Sequence, residues 1–357
     1  WSSDVCSSDL DSFVMAETRV RMIDIANEAG VTTATVSMAL KNHPRISEAT
    51  RKRIQKISKQ MGYRPDPAAQ ALARKGRQLP GDHYLGTLAL LEKKSHYQFR
   101  KDFLPQSVWD RQLKKACAAM GYRLDHFTMG DSKKDHRAVN RILEARGIHG
   151  LLIYGFNEEL QHWALNWEEF AAVAFSGSIH EHFIHNVLSN SYQDVYDAML
   201  KVSEKGYQRP GYFVTNPLFD HWSAGFSSAH ESLRKKGKPL KLILKGTLSD
   251  HTLQDRFFEW LEKSKPDLIV TSSNSELLQL IQSRGIRVPE DIGYLCLDIW
   301  PSMTHLSGLI QMREAADQVM VDLLHGMLMR NHRGPPAQPF CIQIPSVWND
   351  GDTLHAG

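Results

Sequence analysis

The chain of 357 residues is long enough for two or three domains with a sizeable core. Its composition, 42% hydrophobic and 23% charged, is typical of a globular protein, and no run of about 18 apolar residues predicts a membrane span. The net charge of +3 conceals an asymmetry, because residues 19–77 carry 13 Lys or Arg against four acids. A basic segment this concentrated indicates a polyanion partner, and the alternative is a solvated helix face.

The cysteines and the N-terminal residues exclude several further classes. The four cysteines stand far apart without paired spacing, which argues against a disulfide framework or a zinc module and predicts a reducing, cytoplasmic location. Residues 1–14 are polar and lack the basic start and apolar middle of a signal peptide. Met15 is a plausible start of the natural protein, so we expect residues 1–14 to be a tag, vector-derived or sequencing-derived extension.

Residues 19–64 form a pattern of three short helices separated by tight turns. The first is predicted to end at Gly30, a residue that tolerates the left-handed conformation, and the second to begin with Thr32 as its N-cap. Ser47 is predicted to cap the third helix, with Glu48 placed favourably in its first turn. Apolar residues at helical spacing predict one shared core: Ile25, Ala26, Ala29, Val36, Ala39, Leu40, Ile54, Ile57 and Met61.

A short proline-bounded segment follows at residues 65–80. Pro65 and Pro67 end the preceding helix and favour a new start. Residues 68–75 form helices readily but are too few for a stable helix alone in water, and residues 76–81 have the composition of a linker. The segment is therefore either an inducible helix or a passive linker with an alanine-rich turn.

From residue 81 to residue 357 the chain alternates short apolar runs with amphipathic stretches. Predicted strands are Leu85–Leu91, Tyr122–Thr128, Gly150–Tyr154, Ala171–Phe175, Gly211–Thr215, Leu240–Lys245, Leu268–Thr271 and Tyr294–Leu297. Predicted helices are Ser107–Met120, Lys133–Arg146, Tyr192–Lys205, Ser223–Lys235, Leu253–Lys263, Ser275–Arg284 and Arg313–Met329. This alternation predicts parallel sheets covered by helices on both faces, and two consecutive sets predict two α/β subdomains.

The N-terminal pattern closely resembles the DNA-binding domain of the lactose/galactose repressor (LacI/GalR) family. The residues that carry the resemblance are 24–26, 29–31, 34–37, 39–40, 45–47 and 62–65. The resemblance extends, less evenly, to about residue 350, with a local match at residues 285–293. It implies an all-α helix-turn-helix DNA-binding domain (19–64), a hinge helix and linker (65–80) and an α/β periplasmic-binding-protein-like core of two subdomains (81–357). Residues 1–18 then lie outside the family pattern and are predicted to be disordered.

The resemblance also implies which residues contact DNA, since the second helix of such domains enters the major groove. Thr33 and Ala34 fall at the main reading positions, Ser37 lies near phosphate, and Met38 replaces a common Arg. Met38 cannot pair with guanine and is expected either to contact a thymine methyl or only to pack against a neighbour. The full set of predicted DNA-binding residues is Thr32, Thr33, Ala34, Ser37, Met38, Asn42, Arg45, Arg64, Ala69, Leu72 and Ala73.

In the hinge, the resemblance implies that Leu72 wedges between base steps in the minor groove. The small residues Ala69 and Ala73 are then expected to let two copies of the hinge approach each other. Leu72→Ala is expected to weaken specific operator binding far more than non-specific binding, and equal losses on both DNAs in a titration would contradict this role.

For the core, the resemblance implies a small ligand between the subdomains, near the carboxyl ends of the strands. Asp298 and Gln311 match ligand-contacting positions of the family, and Trp222 stands where many members have Arg. An indole can stack on a sugar but cannot replace the Arg fork. Phe156, Asn274 and Trp300 are further candidates because they follow predicted strands. For each of the six, ordinary packing is the alternative.

Other motifs are weaker. The segment from His180 to His185 lacks the spacing of a zinc site on a helix, and a solvated loop is the favoured interpretation. Ser176-Gly177-Ser178 lacks the glycines of a nucleophile elbow, and no Walker A or dinucleotide-binding sequence is present. We therefore expect neither a metal, nor a cofactor, nor an enzyme.

The sequence thus predicts a cytoplasmic, homodimeric, DNA-binding transcriptional regulator, most readily a repressor, whose affinity for double-stranded operator DNA responds to a small effector such as a sugar. No leucine heptad follows residue 331, so a tetramer through a terminal coiled coil is not expected. The rival hypotheses are a cytoplasmic sugar-binding sensor without a dominant DNA role and, less favoured, a sugar-modifying enzyme.

Overall fold

The computed structural model describes residues 20–40, 43–63, 84–94, 97, 106–154, 160–175, 183–215, 222–233, 238–272, 275–299 and 303–355. Contacts divide the chain into two compact units, Trp1–Gln78 and Leu79–Gly357. Some predicted elements lie outside the described residues: the hinge segment 68–75 and the candidates Asn42, Arg64, Ala69, Leu72, Ala73, Phe156, Asn274 and Trp300. No helix of the described residues is both long and apolar enough to cross a membrane.

The first unit contains three helices, α1 (Met22–Ala29), α2 (Thr33–Leu40) and α3 (Glu48–Gln60). Gly30 ends α1 with φ 61°, the left-handed conformation that the sequence predicts. The Thr35 amide donates to the Thr32 hydroxyl at 3.2 Å, and the Thr50 amide donates to the Ser47 hydroxyl at 3.3 Å. Both predicted N-caps are therefore confirmed.

A small apolar core holds these helices together. Its buried members are Ile25, Ala26, Ala29, Val36, Ala39 and Ile54, and Leu40, Ile57 and Met61 pack around them partly exposed. Polar contacts supplement this core: the Arg53 guanidinium donates to the Ala29 carbonyl at 3.0 Å and so secures the end of α1 from α3. Arg53 is one of the basic residues of α3, and its role here is structural.

The second unit is built on two sheets, each of six described strands. The first sheet has the order β11-β5-β4-β3-β1-β2, and every pairing in it is parallel. Its strands are β1 (Gly86–Lys93), β2 (Tyr122–Met129), β3 (Gly150–Tyr154), β4 (Ala171–Phe175), β5 (His185–Ser189) and β11 (Cys341–Ile344). This sheet and the helices that pack on it form the first lobe. Its helices are α4 (Gln106–Ala119), α5 (Lys133–Ala145) and α10 (Arg313–Met329).

The second sheet has the order β12-β10-β9-β8-β6-β7, and only β12 runs antiparallel among its described strands. Its strands are β6 (Pro210–Val214), β7 (Leu240–Ile243), β8 (Leu268–Thr271), β9 (Gly293–Ile299), β10 (Ser307–Ile310) and β12 (Val347–Asn349). The helices of this lobe are α6 (Ser191–Glu204), α7 (Ser223–Ser232), α8 (His251–Ser264) and α9 (Ser275–Ser283).

Alternate residues of each strand enter different apolar clusters, because successive side chains of a strand point to opposite faces. In β1, Leu88 and Leu90 pack with α4 and α10, whereas Ala89 and Leu91 join the cluster that contains residues of α5. In β6, Tyr212 packs with α6 and α7, and Phe213 packs with α8 and α9. Both lobes are therefore three-layered, with a sheet between helices.

The alternation of strands and helices alone predicts that the two lobes follow one another in the chain. The structure shows that they do not. The chain passes from β5 of the first sheet to α6 of the second lobe, and from β10 of the second sheet to α10, which packs on the first sheet. It returns once more between β11 and β12. The prediction of two consecutive sets is wrong in this respect, since long-range strand pairing leaves no local signal.

All eight predicted strands form, but β5, β10, β11 and β12 were not predicted. Each has only three to five residues, and β11 (CIQI) and β12 (VWN) show little periodicity. The interpretation of residues 180–185 as a solvated loop is wrong at its end, where His185 begins β5. That side chain is 8% exposed, and its ring lies 3.9 Å from the ring of Phe340.

Candidate nucleic-acid interface and ligand site

The exposed side of α2 carries the residues predicted to read DNA. Val36 and Ala39 face the apolar core, which leaves Thr33 and Ala34 exposed at the start of the helix and Ser37 and Met38 half-buried. Thr32 is exposed, but its hydroxyl already contacts Thr35 at 2.9 Å and caps the helix. The local sequence thus presents short polar and apolar side chains at a helix N-terminus, which also favours nearby anions.

The same domain also carries exposed basic side chains on α3 and just before it. Arg45 is exposed before α3 and makes no ion pair within the described residues, while exposed Lys56 and Lys59 lie along α3. Lys52 instead pairs with Glu48 at 2.7 Å, one turn earlier on the same helix. Positive charge that is not neutralised within the domain attracts a polyanion and fixes its orientation.

In the second unit, the predicted ligand residue Asp298 lies near the end of β9. The Nη2 atom of Arg313 donates to both of its carboxylate oxygens, at 2.8 and 3.0 Å. Arg313 is the first residue of α10, which packs on the other lobe, so this ion pair connects the second sheet to a helix of the first lobe. Arg313 was not among the residues predicted from the sequence. Its position two residues after Gln311 was the available signal.

Gln311 lies in the crossover between β10 and α10 and is 8% exposed. Its side-chain nitrogen donates to the Leu297 carbonyl at 2.9 Å, which brings it beside the residue that precedes Asp298. Its side-chain oxygen is buried and has no hydrogen-bond partner among the described residues. A buried acceptor in this state costs about 1–3 kcal/mol, so the site favours a donor at that point.

Trp222 occupies the position before α7, but it is 4% exposed and lies in the core of the second lobe with Phe226, Leu297 and Leu309. Stacking on a sugar needs an accessible ring face. The described contacts therefore give Trp222 a packing role, and its contact with a ligand stays a prediction.

A second group of polar side chains lies on the first lobe. The Tyr154 hydroxyl donates to Asp317 at 2.6 Å, and Asp317 follows Arg313 by one helical turn on α10. Glu92, which is in register with Tyr154 on the adjacent strand, is fully buried and contacts His126 Nε2 at 3.1 Å. The sequence did not point to these residues, because they come from separate strands and helices and no local motif links them.

Asp194 on α6 links the second lobe to the crossover between β11 and β12. Its carboxylate accepts hydrogen bonds from the Ser346 amide at 3.1 Å and from the Ser346 hydroxyl at 2.5 Å. Burial raises the pKa of the Asp194 carboxyl above its ordinary value, although the hydrogen bonds from Ser346 oppose the shift. The contact fixes the β11–β12 crossover to the start of the second lobe.

The described residues contain no group of three or more His, Cys, Asp or Glu that could hold a metal ion. Cys117 and Cys296 are buried, and burial raises the pKa of each thiol to about 12. Both cysteines are therefore thiols at neutral pH, which does not suit a nucleophile.

Comparisons with known proteins agree with both units. Residues 21–66 match the model of the family "Bacterial regulatory proteins, lacI family". The HTH-type transcriptional regulator MalR of Streptococcus pneumoniae is 26% identical over 190 residues, which are 53% of this chain and 55% of MalR. The HTH-type transcriptional repressor CytR of Escherichia coli is 45% identical over 58 residues, 16% of this chain and 17% of CytR. The chain thus spans about half the length of MalR.

Solved structures resemble the whole described fold. A complex of the transcriptional regulator CelR with cellobiose has a TM-score of 0.60 at 17% identity, covering 94% of this chain and all of that one. The lac repressor dimer bound to operator and the anti-inducer ONPF has the same TM-score at 16% identity, covering 95% of this chain and all of that one. The core therefore has the periplasmic-binding-protein-like fold of these regulators.

Proposed function

We propose that this chain, whose N-terminal domain belongs to the lacI family of bacterial regulatory proteins, is a sequence-specific DNA-binding transcriptional repressor controlled by a small ligand. It works in the cytoplasm as a homodimer, and two helix-turn-helix domains bind the halves of a pseudopalindromic operator. The observation that carries the proposal is the exposure of Thr33 and Ala34 at the start of α2, in a domain where exposed Arg45, between α2 and α3, makes no ion pair within the described residues.

Each part of this surface has its own task. Side chains at the start of α2 contact base edges and select the sequence, whereas Arg45 and the lysines of α3 bind phosphates and position the domain. In the core, Asp298 and the unpartnered oxygen of Gln311 supply acceptors for the hydroxyl groups of a sugar. Ligand binding there changes operator affinity, and operator DNA must change ligand affinity by the same factor.

The test is selection of binding sites from genomic DNA with the purified full chain. We expect enrichment of a pseudopalindrome, and a slope of log affinity against log salt of roughly −0.9 for each phosphate neutralised. Arg45→Ala is expected to weaken binding to all sequences about equally and to reduce this slope by about one.

Arg137→Ala is the matched control, because Arg137 is an exposed arginine on α5 of the core. It is expected to leave both affinity and slope unchanged. If no palindrome is enriched while the protein binds a sugar, the chain is a sugar sensor and the repressor function is wrong.

A further inference from the structure

We propose that Arg53 is a positioning residue for sequence recognition. By holding the turn between α1 and α2, it sets the direction from which the first residues of α2 reach the bases. This inference rests on the proposed function and adds a specificity-determining residue to it. Arg53 acts here through the backbone of its own domain, whereas the lysines of the same helix bind phosphates.

The contact that Arg53 makes joins parts of the domain that are far apart in the chain. Its Nη2 atom donates to the Ala29 carbonyl at 3.0 Å, across 24 residues. Ala29 is the last residue of α1 and is 4% exposed. The ion pairs among the described residues of this domain are Arg21–Asp24 and Lys52–Glu48, and Arg53 takes part in neither. Its contact with Ala29 is therefore a single directional anchor.

The end of α1 explains why such a donor is needed. The last carbonyls of a helix have no partner within it, and positive charge is favourable there. Neither α1 nor α2 has a basic residue in its last turn. The Gly30 amide donates to the Asn27 carbonyl at 3.2 Å, which leaves the carbonyl of Ala29 to another donor. Arg53 supplies that donor from α3.

The end of α2 is held from the same stretch of α3. Nε2 of Gln55 donates to the carbonyl of buried Ala39, in the last turn of α2, at 3.4 Å. Ile54, between the two polar residues, is fully buried in the core. Residues 53–55 thus contact the end of α1, the core and the end of α2. The shorter contact with a charged donor, that of Arg53, is the stronger anchor.

The turn that Arg53 holds leads directly to the residues proposed to read DNA. Arg53 fixes the start of this turn, and the Thr32 hydroxyl, which accepts from the Thr35 amide at 3.2 Å, fixes the start of α2. Thr33 and Ala34 follow at once. Contacts with base edges depend on distance and direction, so a rotation of α2 weakens them. Phosphate contacts from long lysine side chains position the domain and tolerate such a rotation.

The deciding variant is Arg53→Met, which removes the donor and the charge but keeps an unbranched side chain. Affinities of the full chain are measured over a range of salt concentrations for two duplexes of equal length, the operator enriched by selection and its scrambled sequence. Operator affinity is expected to fall about ten-fold, comparable with the loss of one base contact. Affinity for the scrambled duplex is expected to stay within about two-fold, and both salt slopes to stay unchanged, because no phosphate contact is removed.

Lys56→Met is the matched control, because Lys56 is exposed on the same helix, three residues after Arg53. It removes the same charge, but it is expected to weaken both duplexes about equally and to reduce the salt slope by about one. Arg53→Lys keeps a charged donor, and only one donor of Arg53 is used. It is therefore expected to restore operator affinity to within about three-fold of the wild type.

Urea unfolding and circular dichroism report whether each variant keeps its fold. Gln55→Ala removes the weaker anchor and carries the test if Arg53→Met does not fold. It is expected to lower operator affinity about three-fold, again without a change in slope or in affinity for the scrambled duplex.

Three results overturn the proposal: a slope reduced by about one in Arg53→Met, which makes Arg53 a phosphate contact; equal losses on both duplexes; or an unchanged operator affinity. The wild type separates the two levels of inference. If it prefers no sequence, the proposed function fails together with the role of Arg53. If it prefers the operator and the loss in the variants is not selective, only the role of Arg53 fails.

Discussion

The helical domain and the core are stabilised in different ways. The helical domain has a buried cluster of six small or medium side chains and depends on caps and turns within about 40 residues. Each lobe of the core instead encloses a sheet between two apolar clusters, and its strands pair over long separations. The candidate DNA-binding surface is therefore exposed and encoded by residues close together in the chain, whereas the candidate ligand residues come together only through the fold of the core.

The largest expected effect is the unfolding of the helical domain while the core stays folded. Ile54→Ala removes the only fully buried isoleucine that α3 contributes to the small core, at a cost of about 2–5 kcal/mol. A domain of this size has about 2–7 kcal/mol in total, so we expect it to unfold and operator binding to disappear. Circular dichroism and sugar binding should show the core intact.

Ile142→Ala is the control for this change, because Ile142 is 45% exposed on α5 of the core. It is expected to alter neither unit by more than about 0.5 kcal/mol. If Ile54→Ala lowered the stability of both units together, the two would form one cooperative domain and the comparison would be wrong.

A smaller effect concerns specificity rather than stability. Met38→Arg places a guanidinium on the half-buried side of α2, where Arg can pair with guanine and Met cannot. We expect selected operators to gain a guanine at one position of each half-site, with a preference of about 1–3 kcal/mol. Binding-site selection with both proteins measures the change.

Met22→Arg adds the same charge on exposed α1 of the same domain. It is expected to strengthen binding to all sequences slightly without a new base preference. A similar shift of sequence preference in both variants would place the reading surface elsewhere than α2.

The smallest effect is a difference in pH dependence. Burial lowers the pKa of His149, His185 and His325 below the ordinary value of 6.5, with Arg333 as a further cause at His149, and all three lie in the core. Their folded forms bind fewer protons than the unfolded chain, so their contribution to stability is present above pH 6.5 and is lost as the pH falls through the folded pKa values.

The urea midpoint of the core is therefore expected to decrease between about pH 7.5 and pH 5.5, and less steeply in His149→Gln. The helical domain contains none of these three residues and serves as the internal reference. A rise in the urea midpoint of the core on acidification would contradict the lowered pKa values of these three histidines.

The sequence alone determined the local features of this protein. Gly30, Thr32 and Ser47 set the turns and caps of the helical domain, since each acts on a backbone only a few residues away. Apolar runs of the core likewise predicted eight strands, because burial on both faces of a parallel sheet needs continuous hydrophobic residues. The family resemblance singled out Asp298 and Gln311 as candidates, and their role as ligand residues stays a prediction; it did not point to Arg313.

Tertiary structure decided how these parts combine. The pairing of β11 with β5 buries His185, and the crossover into α10 brings Arg313 to Asp298 and places Asp317 beneath Tyr154. These contacts join residues from different strands, helices and lobes, and no periodicity or turn signal encodes such a pairing. A ligand site made from convergent chain segments is visible only when the fold has closed, because its charges acquire their partners, and hence their chemistry, from that closure.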